Sequence, residues 1–300
     1  MEQIVNFYDY DYLAYEKTIT SLCRRYPILK PFVIGKSVFG RSITALNIGN
    51  GNSTVLYTAA FHGNERITAT ILLKFIEELC YCVTFDRRLS DVDIKRALKD
   101  RSVTFIPLVN PDGCEIALKG ALGCGYKADW VKRLSGGNFK NWKANLRGVD
   151  INHNFDAGWQ ALHEIEQKNG IFGPCPAFFG GTHPNSEPET IALTDFCQNN
   201  TVRYVLALHT QGEVIYWDYN NIPTHRGRRM AEIFAASSGY ALDVPNALSQ
   251  GGGFKDWFIE SFHRPGFTIE LGKGENPLPA SDGANIYETV KEMLTVGLLM

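Results

Sequence analysis

The chain has 300 residues, of which 44% are hydrophobic, and a formal net charge of −2. That length and apolar share suffice for a large packed core without disulfide or metal staples. The near-neutral balance offers no basic excess for nucleic acid or an anionic membrane, and no stretch approaches the roughly 20 apolar residues of a membrane span. Met1-Glu2-Gln3 opens no basic, apolar export signal, so a cytoplasmic location is expected. The seven cysteines (Cys23, Cys80, Cys82, Cys114, Cys124, Cys175, Cys197) show no paired zinc spacing. They read as reduced, small apolar residues, with a Cys114–Cys124 or Cys124–Cys175 bridge left open.

Residues 8–26 carry a roughly helical stripe through Leu13, Tyr15, Ile19, Leu22 and Cys23, so residues 1–29 form a helical lead-in. Strands over 32–36 and 42–48 follow, joined through Phe39-Gly40-Arg41. The apolar run 55–60 predicts a buried strand, and Ile67, Ile71, Leu72, Phe75 and Leu79 predict a helix over about 65–82. A polar segment over 91–99 leads to a buried strand over 103–108, closed by a turn at Asn110-Pro111-Asp112-Gly113. Residues 114–188 are rich in Gly, Asn, Pro and Trp with little periodicity, and a loop-rich stretch of that length is usually functional. Beyond it come a helix over 187–199, a strand over 202–208, a short apolar run at 214–217 and a helix over 224–238. A strand over 267–271 and a helix over 284–299 close the chain. Strands alternating with helices, without repeats or linker composition, predict a single three-layer α/β domain over 1–300.

Four stretches carry chemistry. His62 and Glu65 stand three apart where a strand passes into a helix, so both can aim at one spot beside the helix N-terminus. Alone, the pair reads as a capping glutamate beside a packed histidine. His209 ends the strand over 202–208; with His62 and Glu65 it makes two imidazoles and a carboxylate, a ligand set suited to catalytic zinc with a fourth position open. The third stretch is Gly148-Val149-Asp150-Ile151-Asn152-His153. The fourth, Phe267-Thr268-Ile269-Glu270-Leu271, sets a carboxylate in an apolar strand, where it must be paired, metal-proximal or catalytic.

Together, and in this order, the four stretches resemble the zinc carboxypeptidases of the carboxypeptidase A type, the M14 peptidases, over roughly residues 30–300. The resemblance implies a mixed, about eight-stranded sheet between helices, one zinc ion on His62, Glu65 and His209, and Glu270 as general base. Zinc lowers the pKa of a water and polarises the scissile carbonyl, while Glu270 takes the proton and returns it to the leaving amine. Asp150 matches the aspartate that orients the first ligand histidine. The family's oxyanion cation is an arginine upstream of Gly-Val-Asp; here the segment is Trp142-Lys143-Ala144-Asn145-Leu146-Arg147, which makes Lys143 the first candidate and Arg147 the second.

Three positions depart from ordinary carboxypeptidases. Asn152-His153 stands where they carry Asn-Arg, and a histidine cannot fork onto a terminal carboxylate as a guanidinium does. Leu248 occupies the catalytic tyrosine position. Lys255 falls in the pocket for the residue after the cleaved bond, where a lysine favours an acidic group. With Asn-His in place of Asn-Arg, the chain looks most like the bacterial γ-D-glutamyl-meso-diaminopimelate peptidases of the family. Its expected partner is then a peptidoglycan stem peptide held by Asn152, His153 and Lys255, processed inside the cell. Two alternatives remain: a zinc carboxypeptidase for L-peptides with acidic C-termini, and a non-catalytic sensor of peptidoglycan peptides.

Overall fold

A computed structural model describes residues 3–300. Helix α1 (Tyr12–Arg25) starts later than its apolar stripe because the Asp11 side chain caps it by accepting from the Ala14 N–H. Its Tyr15, Ile19 and Leu22 join the main core, so the lead-in is part of the packed body. Strands β1 (Lys30–Lys36) and β2 (Ser42–Gly49) form an antiparallel hairpin. Strand β3 (Thr54–Ala59), buried along its whole length, runs to the turn before helix α2 (Ile67–Phe85). The polar segment folds as a small hairpin, β4 (Arg88–Leu89) with β5 (Val92–Asp93), and one helical turn, α3 (Ile94–Ala97), before strand β6 (Ser102–Ile106).

The loop expected over 114–188 is instead interrupted by helices α4 (Pro111–Lys119), α5 (Ala128–Ser135) and α6 (Trp159–Lys168). Asn110-Pro111-Asp112-Gly113 is not a free turn. Asn110 caps α4 by accepting from the Gly113 N–H, and Pro111 takes the first turn, where its missing N–H costs nothing. The remaining elements are α7 (Pro188–Asn199), β7 (Val202–His209), β8 (Val214–Tyr216), α8 (Gly227–Ser238), β9 (Ala241–Leu242), α9 (Phe254–Phe262), β10 (Gly266–Glu270) and α10 (Gly283–Val296).

Eight strands form one mixed sheet in the order β1-β2-β6-β3-β7-β10-β8-β9. The inner four, β6, β3, β7 and β10, are parallel, while β2–β6 and β10–β8 pair antiparallel. Alternation along the inner strands feeds both faces. Tyr57, Leu206 and Leu208 pack with α1, α2, α8 and α10; Leu56, Val205 and Ala207 pack with α7 and α9. The molecule is thus a three-layer α/β domain whose parallel strands deliver their carboxyl ends to one edge. All seven cysteines are free, which removes both bridges considered from the sequence. Among the described residues no helix is long and apolar enough to cross a membrane.

Candidate active site

Three adjacent parallel strands end at the site. His62 follows β3, His209 is the last residue of β7, and Glu270, the last of β10, is the register partner of His209. Glu65 arrives from the turn before α2. Ala60, at φ 54°, turns the chain sharply out of β3, and its N–H donates to the Thr68 hydroxyl, which donates in turn to the Glu65 carbonyl. Gly63 makes the turn fit: a Cβ there would lie 2.3 Å from the Gly113 carbonyl oxygen and 2.7 Å from that of Trp142. Asn110 fixes the other wall, donating to the carbonyls of Phe61, Lys143 and Ala144.

The result is a convergent donor set. His62 Nδ1 is 2.8 Å from Glu65 Oε1, His209 Nδ1 is 3.1 Å from Glu65 Oε2, and ligand atoms of the three lie within 4.8 Å of one another. Asp150 Oδ1 lies 3.1 Å from His62 Nε2, so it would hold the ring proton there and leave Nδ1 to a metal once one is bound. Two imidazole nitrogens and a carboxylate, with the rings pre-aimed, fit a single zinc ion. Asn276 and the Thr210 N–H also hold Glu65; neither was legible from spacing.

The electrostatics follow from burial opposed by close charges. Burial alone would lower His62, but Glu65 and Asp150 outweigh it and push the ring up to about 9. Burial works against the Glu65 and Asp150 charges as well, yet His62 and Lys143 help to hold both well below the ordinary carboxylate range. His209 is lowered by burial, against the pull of Glu65. Glu270 is pushed up to about 8 by burial and by the Glu65 charge, with Lys143 and His62 opposing.

Lys143 and Glu270 line the same cleft as the donor set, and Lys143 Nζ lies 3.7 Å from Glu65 Oε1. Burial would lower Lys143, but Glu65, Asp150 and Glu270 raise it, so it stays a cation. Arg147 does not join them. Its half-exposed guanidinium lies 3.5 Å from Glu187 outside the cleft, because the chain turns at Gly148 before re-entering at Asp150. Asn152 lines the cleft and uses its side-chain oxygen to accept from the Phe254 N–H at the start of α9. His153 also lines it, but Nδ1 is 2.9 Å from the buried Glu166. Lys255 is not a free cation: it is 5% exposed, donates to the Asp218 carbonyl at 2.7 Å and pairs with Asp256, which lines the cleft beside it. Near Leu248 it is Ser249 that lines the cleft, together with Tyr216, Thr210 and Thr268.

A zinc carboxypeptidase family model matches residues 15–295. The chain is 36% identical over 297 residues to γ-D-glutamyl-L-diamino acid endopeptidase 1 of Lysinibacillus sphaericus, an alignment covering 97% of this chain and 73% of that protein. It is also 36% identical over 289 residues to the uncharacterized protein YqgT of Bacillus subtilis, covering 95% and 76%. Among solved structures, carboxypeptidase A from Helicoverpa armigera superposes with a TM-score of 0.74 at 18% identity, over 97% of this chain and 73% of that one. The fold, the convergent donor set and a family match spanning nearly the whole chain agree: this protein belongs to the zinc carboxypeptidases of the M14 metallopeptidase family.

Proposed function

We propose that the protein hydrolyses the bond between the D-glutamate side-chain carboxyl and meso-diaminopimelate in peptidoglycan stem peptides. The observation that carries this reading is the mixed charge of the cleft wall. His153 backed by Glu166, and the Lys255–Asp256 ion pair, face the space beside the donor set. A wall offering both signs suits a residue whose far end carries an ammonium and a carboxylate. A side chain with one negative charge would meet a lysine that Asp256 already neutralises, so that pair disfavours ordinary L-peptides with acidic C-termini. The name of the Lysinibacillus relative, an endopeptidase at a γ-D-glutamyl-diamino acid bond, supports the same reading.

His62, Glu65 and His209 would hold the zinc, which when bound supplies Lewis acidity towards water and the scissile carbonyl. Glu270, at the end of β10, accepts the proton of the attacking water and hands it to the departing amine. The Lys143 ammonium offers charge to the oxyanion as it develops. Asp150 keeps the His62 ring in place. The test is a comparison of kcat/KM for L-Ala-γ-D-Glu-meso-diaminopimelate and for an L-tripeptide ending in glutamate. Preference for the stem peptide by about 100-fold or more is expected, corresponding to about 2.7 kcal/mol of discrimination. Preference for the L-tripeptide would replace this reading with the second one.

A further inference from the structure

His153 is held from behind by a carboxylate that no other step uses. Glu166, on α6, is 1% exposed. Its Oε1 lies 2.9 Å from His153 Nδ1; its Oε2 lies 3.1 Å from His163 Nδ1 and accepts from the Gly180 N–H at 3.2 Å. The backbone around the ring is equally fixed. A Cβ on Gly180 would sit 2.6 Å from the His153 carbonyl oxygen, and one on Gly252 would sit 2.7 Å from it. The Phe178 ring meets the imidazole edge-on at 5.7 Å. Nε2 is therefore the ring nitrogen left for the cleft that His153 lines.

We propose that Glu166 is a positioning residue that fixes the His153 proton on Nδ1, so that the cleft-facing Nε2 accepts hydrogen bonds when the ring is neutral and binds a substrate carboxylate only when the ring is protonated. An ionised carboxylate is acceptor-only, so the nitrogen beside it must carry hydrogen, and the other nitrogen of a neutral imidazole is then a lone pair. A lone pair repels a carboxylate and welcomes an amide N–H. The other titratable and charged groups lining the cleft with His153 are Asp150 on its own loop, His62 and Glu65 before α2, Lys143, His209 on β7, Tyr216 on β8, Lys255 and Asp256 on α9, and Glu270 on β10, with His163 behind Glu166. Lys255 and Asp256 cancel each other. The device couples substrate binding to proton uptake and separates a free carboxylate from its carboxamide by pH. It rests on the stem-peptide reading only for the identity of the ligand.

Glu166→Gln makes the test specific. The Gly180 N–H requires an acceptor, so the glutamine oxygen takes the Oε2 position and its NH2 faces His153 Nδ1. That reverses the neutral tautomer and puts the proton on Nε2. With zinc-loaded wild type, KM for the stem peptide with a free diaminopimelate carboxylate should rise with pH. KM for the carboxamide form should stay level or fall. Glu166→Gln should flatten the first profile while retaining most of kcat. Matching profiles for the two substrates, or a variant that tracks wild type at every pH, would overturn the proposal. If wild type cleaves neither peptide, the stem-peptide reading fails instead. Nitrogen-15 NMR then still decides this one: neutral His153 carrying its proton on Nδ1 supports it, and a proton on Nε2 refutes it.

Discussion

Lys143 and Arg147 are the first and second candidates for the oxyanion cation in the sequence, and their surroundings set them apart. Lys143 has three carboxylates about it, Glu65, Asp150 and Glu270, and faces the cleft. Arg147 leans out on Glu187, with 52% of its side chain exposed. Lys143→Met should therefore lower kcat by about 10²–10³-fold with a smaller change in KM, the usual loss on removing one oxyanion partner. Arg147→Met should leave both within about twofold, since surface ion pairs contribute little. Steady-state kinetics on the two variants settles the choice, and the reverse ranking would remove Lys143 from the account. The same contrast shows what single residues reveal before folding. His62, Glu65, His209 and Glu270 draw notice by residue type and place, but their joint role, and that of Asp150 beside His62, came from the resemblance to the M14 peptidases; the structure brings all five to one cleft. The state of His153 and Lys255 is not legible that way, since it depends on who stands behind them. Glu166 lies thirteen positions further on, on a helix that composition had concealed. Asp256 is adjacent to Lys255, but only the first turn of α9 shows that the two side chains meet.

At the level of elements, the hydrophobic period read well wherever a segment buries one stripe or both faces, as in β3, α2, β7 and α10. It failed where caps and turn residues begin a helix. Asn110 and Pro111 look like a loop but start α4, and Gly251-Gly252-Gly253 masks the entry to α9. One helix start also carries a pH signature. Glu189, in the first turn of α7, is fully buried and accepts from the Val38 N–H and the Asn145 side chain, tying α7 to the β1–β2 turn and to the Lys143 loop. Burial and then the Asp112 charge push it up to about 8. An unfolded glutamate titrates near 4.3, so between these values the folded protein holds the extra proton. Its contribution to stability is fully present below the unfolded pKa and is lost as pH rises through about 8. In that window stability should fall by at most about 1.4 kcal/mol per pH unit. Denaturation midpoints of wild type and Glu189→Gln from pH 5 to 9 check this: the variant should show a shallower slope, and parallel slopes would refute it.

On the scale of the whole molecule, function depends on strand order. His62, His209 and Glu270 are spread over more than half the chain, yet β3, β7 and β10 are neighbours, so their ends form one rim. Motif order along the sequence does not contain that adjacency; it comes from non-local pairing between strands whose apolar faces require helices on both sides. The resemblance to M14 peptidases implied a shared ligand set and a mixed, about eight-stranded sheet but no strand order; the observed sheet agrees and adds the order. What the sheet edge then adds is a cleft lined by both signs of charge, with Glu270 among its lining residues. The central claim, that this rim hydrolyses the γ-D-glutamyl bond through Glu270, has a direct test. Zinc-loaded wild type and Glu270→Gln are each incubated with L-Ala-γ-D-Glu-meso-diaminopimelate, and the products are weighed by mass spectrometry beside a zinc determination on the same samples. The account predicts one zinc per chain in both proteins, with L-Ala-D-Glu released by wild type and release lowered by about 10³-fold or more in the variant. Zinc-loaded wild type that leaves the peptide intact, or a variant that cleaves it as fast as wild type, would contradict it.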